Sequence, residues 1–339
     1  MKLQVLLLAL AAFCSADAPL PSGASGLRDP MAVGDDDAGS KILGTDDAPV
    51  FTQEQLYRLT TRFHDTFVYP HNLAEAKKVN STIFSEDCQG NIDITRTFVG
   101  RELNTEYVFG SFAQVGKTNR LNLLGVPETW NMTHWTAFQN NANFAVTFQM
   151  FLPVLNVTLP LEIWTWVSFN SNGEISQYDA TFRYVEYYLE TILTLGARVL
   201  KATSPQMAMM NLQKILANNI CETAQNCCTG ANTQYASYNA CYEFLTSGIV
   251  PLGRPYQGGR NTVFCRMIHE PMVSYRPSEH CPHIGPQGGG MCNDDFNYTD
   301  KVQGPWTFFS NAPWLPRFPS EDKLITTGGP FPASSNATL

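Results

Sequence analysis

Cysteine placement is the sequence feature that most restricts how this 339-residue chain can fold. Eight of its nine cysteines follow the first 80 residues, and all but one of those eight lie between residues 221 and 292. An even number of cysteines in an oxidising compartment is typical of a disulfide framework, so we predict four bridges and leave their pairing open. The cysteines concerned are Cys88, Cys221, Cys227, Cys228, Cys241, Cys265, Cys281 and Cys292.

The first 18 residues indicate that compartment. Lys2 precedes an apolar run of about ten residues, the length expected of a signal-peptide core, and Ala16 and Ala18 form an Ala-x-Ala cleavage site. This pattern predicts a signal peptide over residues 1–18 and a secreted, extracellular protein. The run is shorter than the roughly 20 apolar residues that cross a bilayer, so we expect no membrane span.

Charge and glycosylation motifs agree with secretion. The net charge is −8 and only 15% of residues are charged, which argues against nucleic acid or an anionic membrane as partner. Asn-x-Ser/Thr motifs are acceptor sites for N-glycans in secreted chains, so we predict a glycoprotein, although a motif can also occur by chance. The motifs begin at Asn80, Asn131, Asn156, Asn297 and Asn336.

The composition changes along the chain and predicts four further segments. Residues 19–50 are rich in Ala, Pro, Gly, Ser and Asp, which predicts a disordered acidic linker or a propeptide. Residues 51–200 carry the periodic patterns of helices and strands. Residues 201–300 form a Cys-rich module of helices and loops, and residues 301–339 form a Pro-rich tail.

Local patterns place the elements of residues 51–200. Thr52 and Gln55 form a capping box that begins an amphipathic helix, which Pro70 ends. Alternating residues predict strands over 91–112, 142–151, 159–169 and 174–184, so that Tyr107 would lie on a strand. We expect residues 130–135 to form a surface loop, because the motif at Asn131 lies there. Farther along, Thr233 is the predicted cap of a helix in the Cys-rich module.

Residues 172–178, Asn-Gly-Glu-Ile-Ser-Gln-Tyr, resemble the last hairpin strand of the SnoaL-like, or nuclear-transport-factor-two-like, family. That resemblance covers residues 50–200 and implies an α+β fold: a cone-like curved antiparallel sheet with N-terminal helices, here followed by a helical disulfide-rich module. It also implies an apolar pocket that the N-terminal helices close. Members of the family include dehydratases, isomerases, cyclases and binding proteins. The segments 265–269 and 276–286 resemble secreted fungal proteins.

Four residues are candidates for acid–base chemistry in such a pocket. Asp179 and Arg183 share one face of a strand, and they would form a polar centre if that face points into the cone. His64 lies beside the apolar stripe of the first helix, and Tyr107 is a further candidate. The alternative for Asp179 and Arg183 is a structural ion pair or a solvated face, and for His64 a solvated or hydrogen-bonded side chain.

Aromatic residues are the candidates for ligand binding. Trp164, Trp166 and Tyr178 suit a flat apolar or sugar-like molecule, because aromatic faces give a large contact area at low entropic cost. Our first hypothesis is therefore a secreted protein that binds a small molecule in an aromatic-lined cone. The alternatives are a cofactor-independent lyase or isomerase that uses the same pocket, and a secreted surface or effector protein without a small ligand.

A metal site is the remaining chemical alternative. His280 and His283 are spaced so that both could bind one ion, with Asp294 or Asp295 as an oxygen ligand. The spacing matches no established metal motif, and the nearby cysteines are assigned to disulfides. We therefore predict no metal and no cofactor.

Overall fold

The computed structural model describes residues 51–113, 120–295 and 297–302. The predicted signal peptide, the linker of residues 19–50, the Pro-rich tail from residue 303 and Asn336 lie outside the described residues. Within the described part of the chain, no helix is long and apolar enough to cross a membrane.

Six strands form one curved sheet, which confirms the predicted α+β class. In spatial order they run β2-β1-β6-β5-β4-β3. All neighbours are antiparallel except β1 and β6, which pair in parallel, so the expectation of a purely antiparallel sheet is wrong at this pair. Register shifts in β1 and β3 are bulges of the kind that bend a strand. The strands are β1 (Phe84–Ile92), β2 (Thr97–Val99), β3 (Val126–Phe138), β4 (Asn141–Leu152), β5 (Val157–Phe169) and β6 (Ile175–Arg183).

Eight α-helices between Gln53 and Ile284 accompany the sheet. The Thr52 side chain accepts from the Gln55 amide at 3.2 Å and the Gln55 side chain accepts from the Thr52 amide at 2.8 Å, so the predicted capping box begins the first helix. One hydrophobic core runs from Leu56 to Ile284 and joins the sheet to the C-terminal helices. The helices are α1 (Gln53–Phe67), α2 (His71–Lys78), α3 (Arg101–Phe109), α4 (Val185–Val199), α5 (Pro205–Cys227), α6 (Tyr238–Thr246), α7 (Val263–His269) and α8 (Pro277–Ile284).

Three local predictions are wrong. Tyr107 lies on helix α3 instead of a strand, because the turn at Gly100 (φ 91°) ends the β2 pairing and the following residues pack as a buried helix. Residues 130–135 belong to the long strand β3, whose outward residues are polar because it forms an edge of the sheet. Helix α6 is capped by Ser237, whose hydroxyl accepts from the Ala240 amide, and not by Thr233.

Disulfides hold the C-terminal helices, with one correction to the predicted framework. The bridges are Cys221–Cys241, Cys228–Cys281 and Cys265–Cys292. Cys227 is likewise bonded and not free. Cys88 carries a free thiol, so its assignment to a disulfide is wrong: it lies fully buried on β1, where it packs as a small apolar residue.

Four of the predicted glycosylation motifs fall on described residues. The asparagines at 80, 131, 156 and 297 are all exposed, as an N-glycan requires. Modification of these residues stays a prediction.

Candidate functional site

The concave face of the sheet encloses a cavity of about 70 Å³. Helices α1 and α3 cover it, and the inward residues of β4, β5 and β6 form most of its wall. The wall is aromatic and aliphatic almost throughout. Its contributors on the three strands are Phe144, Val146, Phe148, Ile163, Thr165, Val167, Phe169, Ile175, Tyr178, Ala180 and Phe182.

His64 is one of the few polar side chains in this wall. It lies on α1, is 1% exposed, and is surrounded by aromatic rings, with the Phe144 ring centroid at 4.8 Å and that of Trp130 at 5.1 Å. Burial lowers its pKa to about 3, with a smaller opposing effect from the backbone of Thr60. Its Nδ1 atom has no hydrogen-bond partner among the described residues. The imidazole is therefore neutral and incompletely hydrogen-bonded.

Tyr178 is a second polar residue in the cavity wall. It points inward from β6, and its hydroxyl is buried without a hydrogen-bond partner in the described part of the chain. Burial raises the pKa of this phenol well above its usual range. Gly90 on β1 leaves room for the ring, since a side chain there would collide with the Tyr178 ring and hydroxyl. Two residues that line the cavity, on different elements, thus carry a buried polar atom without a hydrogen-bond partner among the described residues.

Tyr107 connects the cavity to a second polar group. It lines the cavity from α3 and stacks on Phe98 with 3.7 Å between ring centroids. Its hydroxyl lies 3.3 Å from Nδ1 of His269, outside the cavity wall. Burial raises the pKa of Tyr107 well above its usual range, with a smaller contribution from Glu106.

Three histidines cluster behind Tyr107. The Nδ1 atoms of His280 and His283 are 3.3 Å apart, and those of His283 and His269 are 3.2 Å apart. Nε2 of His280 lies 3.0 Å from a carboxylate oxygen of Glu106. Burial lowers the pKa of His283 to about 3 and that of His269 well below its usual range, with His280 and its neighbours adding to the effect. These three rings are the described side chains best placed to hold a metal ion.

The acid–base candidates Asp179 and Arg183 do not point into the cone. On β6, Tyr178 and Ala180 face the cavity, and the residues that alternate with them face outward. The Asp179 carboxylate accepts from the Asn91 amide at 2.8 Å, and burial raises its pKa. Arg183 pairs with Glu162 at 3.0 Å. The condition under which these two residues would form a polar centre in the pocket is therefore not met.

The three ligand-binding candidates lie on opposite faces of the sheet. Trp164 and Trp166 are exposed on the outer face of β5, where the Arg183 guanidinium lies 4.7 Å from the Trp164 ring. Tyr178 lies on the inner face. A molecule in the cavity can contact Tyr178 but not this tryptophan pair. The structure brings together His64, Tyr107 and Tyr178 from the predicted set.

The two aspartates that the sequence suggested as oxygen ligands for a metal do not meet the histidines. Asp294 pairs with Arg260, and Asp295 pairs with Arg96. The groups that do meet His280 and His283 are His269 and Glu106, which the sequence pattern did not select. Glu106 lies 174 residues before His280 in the sequence, so no local spacing relates them. The one available signal was that Glu106 adjoins Tyr107, which was already a candidate.

Two family models match the chain over most of the described region. The BfoA N-terminal domain matches residues 61–180, and the BfoA family C-terminal domain matches residues 182–295. Solved structures are similar only in part. A protein with a ketosteroid isomerase-like fold from Catenulispora acidiphila has a TM-score of 0.29 and 12% identity, and covers 37% of this chain and 85% of its own. A putative isomerase of the SnoaL-like family from Agrobacterium tumefaciens has a TM-score of 0.28 and 10% identity, and covers 38% and 98%.

Fungal proteins are similar over nearly their whole length. "Bifonsecin B biosynthesis cluster protein A" of Aspergillus brasiliensis is 45% identical over 83% of this chain and 92% of its own. "Aurasperone B biosynthesis cluster protein A" of Aspergillus niger is 43% identical over 83% and 90%. With both family models matched in order and this identity over almost the full length of the relatives, the chain belongs to the BfoA family.

Proposed function

We propose that this protein is secreted and binds a flat, largely apolar small molecule that carries a hydrogen-bonding group, in the cone cavity. The cavity wall supports the apolar part of the proposal. The leader pattern and the three disulfides support secretion.

The observation that carries the proposal is the pair of unsatisfied polar atoms in the cavity wall, His64 Nδ1 and the Tyr178 hydroxyl. Buried polar atoms in native proteins almost always have partners, because leaving one unpaired costs about 1–3 kcal/mol. A ligand hydroxyl or carbonyl in the cavity would supply the missing hydrogen bond. The destabilising arrangement of the free protein then becomes a source of affinity and selectivity.

The same wall argues against a sugar as the ligand. A sugar needs many hydrogen-bond partners, and this cavity offers two unpaired polar atoms and two threonines among aromatic and aliphatic side chains. An aromatic or alicyclic compound with one or two oxygens matches the chemistry of the wall better, and the cavity of about 70 Å³ must widen to admit it, since about 150 Å³ is needed to hold benzene.

The relatives support a role in the biosynthesis of small molecules. Two of them are named as proteins of the bifonsecin B and aurasperone B biosynthesis clusters. By this likeness, we propose that the ligand of the present protein is an intermediate or product of a fungal biosynthetic pathway.

An isomerase or lyase is the second candidate function, and His64 is the residue that favours it. It is neutral and lines the cavity, so it can accept a proton. However, an effective catalytic base has a pKa near the working pH, and a pKa of about 3 makes His64 a weak one. Binding is therefore the better supported of the two.

Two neighbouring substitutions on β6 test the proposal with p-cresol and toluene as probes. The probes share a ring and differ by one hydroxyl. Ala180→Leu adds three carbons toward the cavity, whereas Thr181→Leu adds apolar surface on the opposite face. We expect the wild type to bind p-cresol at least fivefold more tightly than toluene, since a hydrogen bond adds about 1 kcal/mol. Ala180→Leu should weaken p-cresol binding at least tenfold.

Isothermal titration calorimetry measures both effects, and far-UV circular dichroism checks the fold of each variant. Thr181→Leu should bind p-cresol like the wild type. Equal affinities for the two probes, or equal p-cresol affinities in the two variants, would contradict the proposal.

A further inference from the structure

We propose that His269, His280 and His283 together bind one transition-metal ion, with Zn²⁺ as the best match, through their Nδ1 atoms. The site lies outside the cone cavity and does not depend on the ligand-binding function proposed above. It combines the end of α7 and the body of α8, which are neighbours in sequence, with the distant helix α3 through Glu106.

The spacing of the ring nitrogens is the first reason. The Nδ1 atoms form two contacts of 3.2 and 3.3 Å that share His283. A tetrahedral Zn²⁺ with bonds of about 2.0–2.1 Å to imidazole places its nitrogen ligands about 3.3–3.4 Å apart. Two of the three nitrogen pairs are therefore already at the spacing of a three-histidine site, and one ligand atom of each ring lies within 4.8 Å of the others.

The hydrogen-bond inventory is the second reason. A neutral imidazole has one N–H and one lone pair. His280 Nε2 faces the Glu106 carboxylate at 3.0 Å and donates its hydrogen there, so His280 Nδ1 presents a lone pair. His283 Nδ1 has one hydrogen at most and two Nδ1 neighbours, so it cannot donate well to both. Lone pairs that converge in a buried space are what a cation satisfies.

The Glu106 contact is the third reason. Histidines that bind metals commonly donate their other ring N–H to a carboxylate, which fixes the tautomer and raises the basicity of the ligand. Glu106 is 1% exposed, and its second oxygen lies 3.1 Å from the Arg276 guanidinium. The Arg276 contact thereby fixes the position of the carboxylate beside His280.

The surrounding structure is rigid. The Cys228–Cys281 bridge fastens α8 beside His280, and the Cys265–Cys292 bridge fastens α7. Arg266 donates to the carbonyls of Gly285 and Pro286, just after α8. The sulfurs of Cys265 and Cys292 lie near His269, but as a disulfide they are not thiolate ligands.

The type of ligand restricts which metal ions the site can bind. Three imidazoles suit zinc, copper, iron and nickel, whereas magnesium and calcium prefer oxygen. Three protein ligands leave a fourth position, as in catalytic zinc sites. The Tyr107 hydroxyl lies 3.3 Å from His269 Nδ1, and the Tyr107 ring forms part of the cavity wall.

The test uses the tag-free, secreted protein, stripped with a chelator and titrated with Co²⁺ as a visible probe, then with Zn²⁺ in competition. We expect one Co²⁺ per chain with the intense visible bands of a tetrahedral site. His283→Asn should abolish this binding, and Glu106→Gln should weaken it by about 10- to 100-fold. His134→Gln removes an exposed histidine on β3 and should bind like the wild type.

Two results would overturn the proposal: no stoichiometric Co²⁺ or Zn²⁺ binding by the wild type, or wild-type affinity in His283→Asn. X-ray absorption of the zinc-loaded wild type covers the case in which the variant fails to fold. A shell with three imidazole nitrogens is expected there, and a shell without them contradicts the site.

Discussion

His64→Leu is expected to stabilise the protein while impairing its selectivity for hydroxylated ligands. At pH 7 the substitution removes a buried nitrogen without a partner, which should raise the free energy of unfolding by about 1–2 kcal/mol. The same nitrogen is the proposed partner of a ligand hydroxyl. The preference for p-cresol over toluene should therefore fall in the variant.

The difference in stability between the wild type and His64→Leu should grow as the pH falls. In the folded state the pKa of His64 is about 3, and in the unfolded chain it is near the ordinary 6.5. Between these values the unfolded state binds more protons, so wild-type stability falls as the pH drops from 6.5 towards 3 and is unaffected by His64 above 6.5. This shift corresponds to a loss on the order of 4 kcal/mol by pH 3. The leucine variant lacks that loss.

Urea unfolding at pH 7, 6, 5 and 4 measures this difference. The other buried histidines are present in both proteins and cancel in the comparison. His134→Gln, at an exposed position, controls for removal of a histidine. A variant whose stability falls with pH as steeply as that of the wild type would show that His64 is not held neutral by burial.

Removing the Cys228–Cys281 bridge is expected to have the other large effect. Its cysteines are separated by 53 residues, and a cross-link over such a loop lowers the entropy of the unfolded chain by about 4 kcal/mol in free energy. The Cys228→Ala/Cys281→Ala protein should lose about that much stability. Because the bridge fastens α8 beside His280, the double variant should also bind Co²⁺ more weakly.

The Cys221–Cys241 bridge provides the matched comparison, since it closes a shorter separation of 20 residues and lies on α5 and α6. Its removal should cost about 1 kcal/mol less than removal of the longer bridge and should leave the Co²⁺ affinity unchanged. Denaturant unfolding and Co²⁺ titration of both double variants measure these effects. Equal losses of metal affinity would contradict the assignment of α8 to the site.

The sequence predicted the architecture well where a local pattern and the tertiary fold agree. The capping box at Thr52 and the alternation on β4, β5 and β6 are local signals that the core reinforces. The prediction failed where tertiary packing overrode the local sequence signals. Residues of α3 have strand-like composition but form a helix, because α3 packs against β1 and covers the cavity.

The sequence predicted some residues of the cavity wall but not others, and the failure has a physical reason. Alternation correctly separated the two faces of β5 and β6, but it could not show which face is concave. Both faces carry aromatic and polar residues: Trp164 and Asp179 outside, Tyr178 inside. The choice depends on the direction in which the sheet bends, which bulges in other strands determine. The sequence suggested the pair His280 and His283, but not their contact with Glu106, which forms only in the tertiary fold.

The central claim is that the cone cavity binds a small molecule through its two unpaired polar atoms. A crystal structure of the protein grown with p-cresol tests it most directly. We expect p-cresol inside the cavity, with its hydroxyl within about 2.7–3.2 Å of His64 Nδ1 or the Tyr178 hydroxyl. P-cresol bound on the outer face at Trp164 and Trp166, with none in the cavity, would contradict the claim.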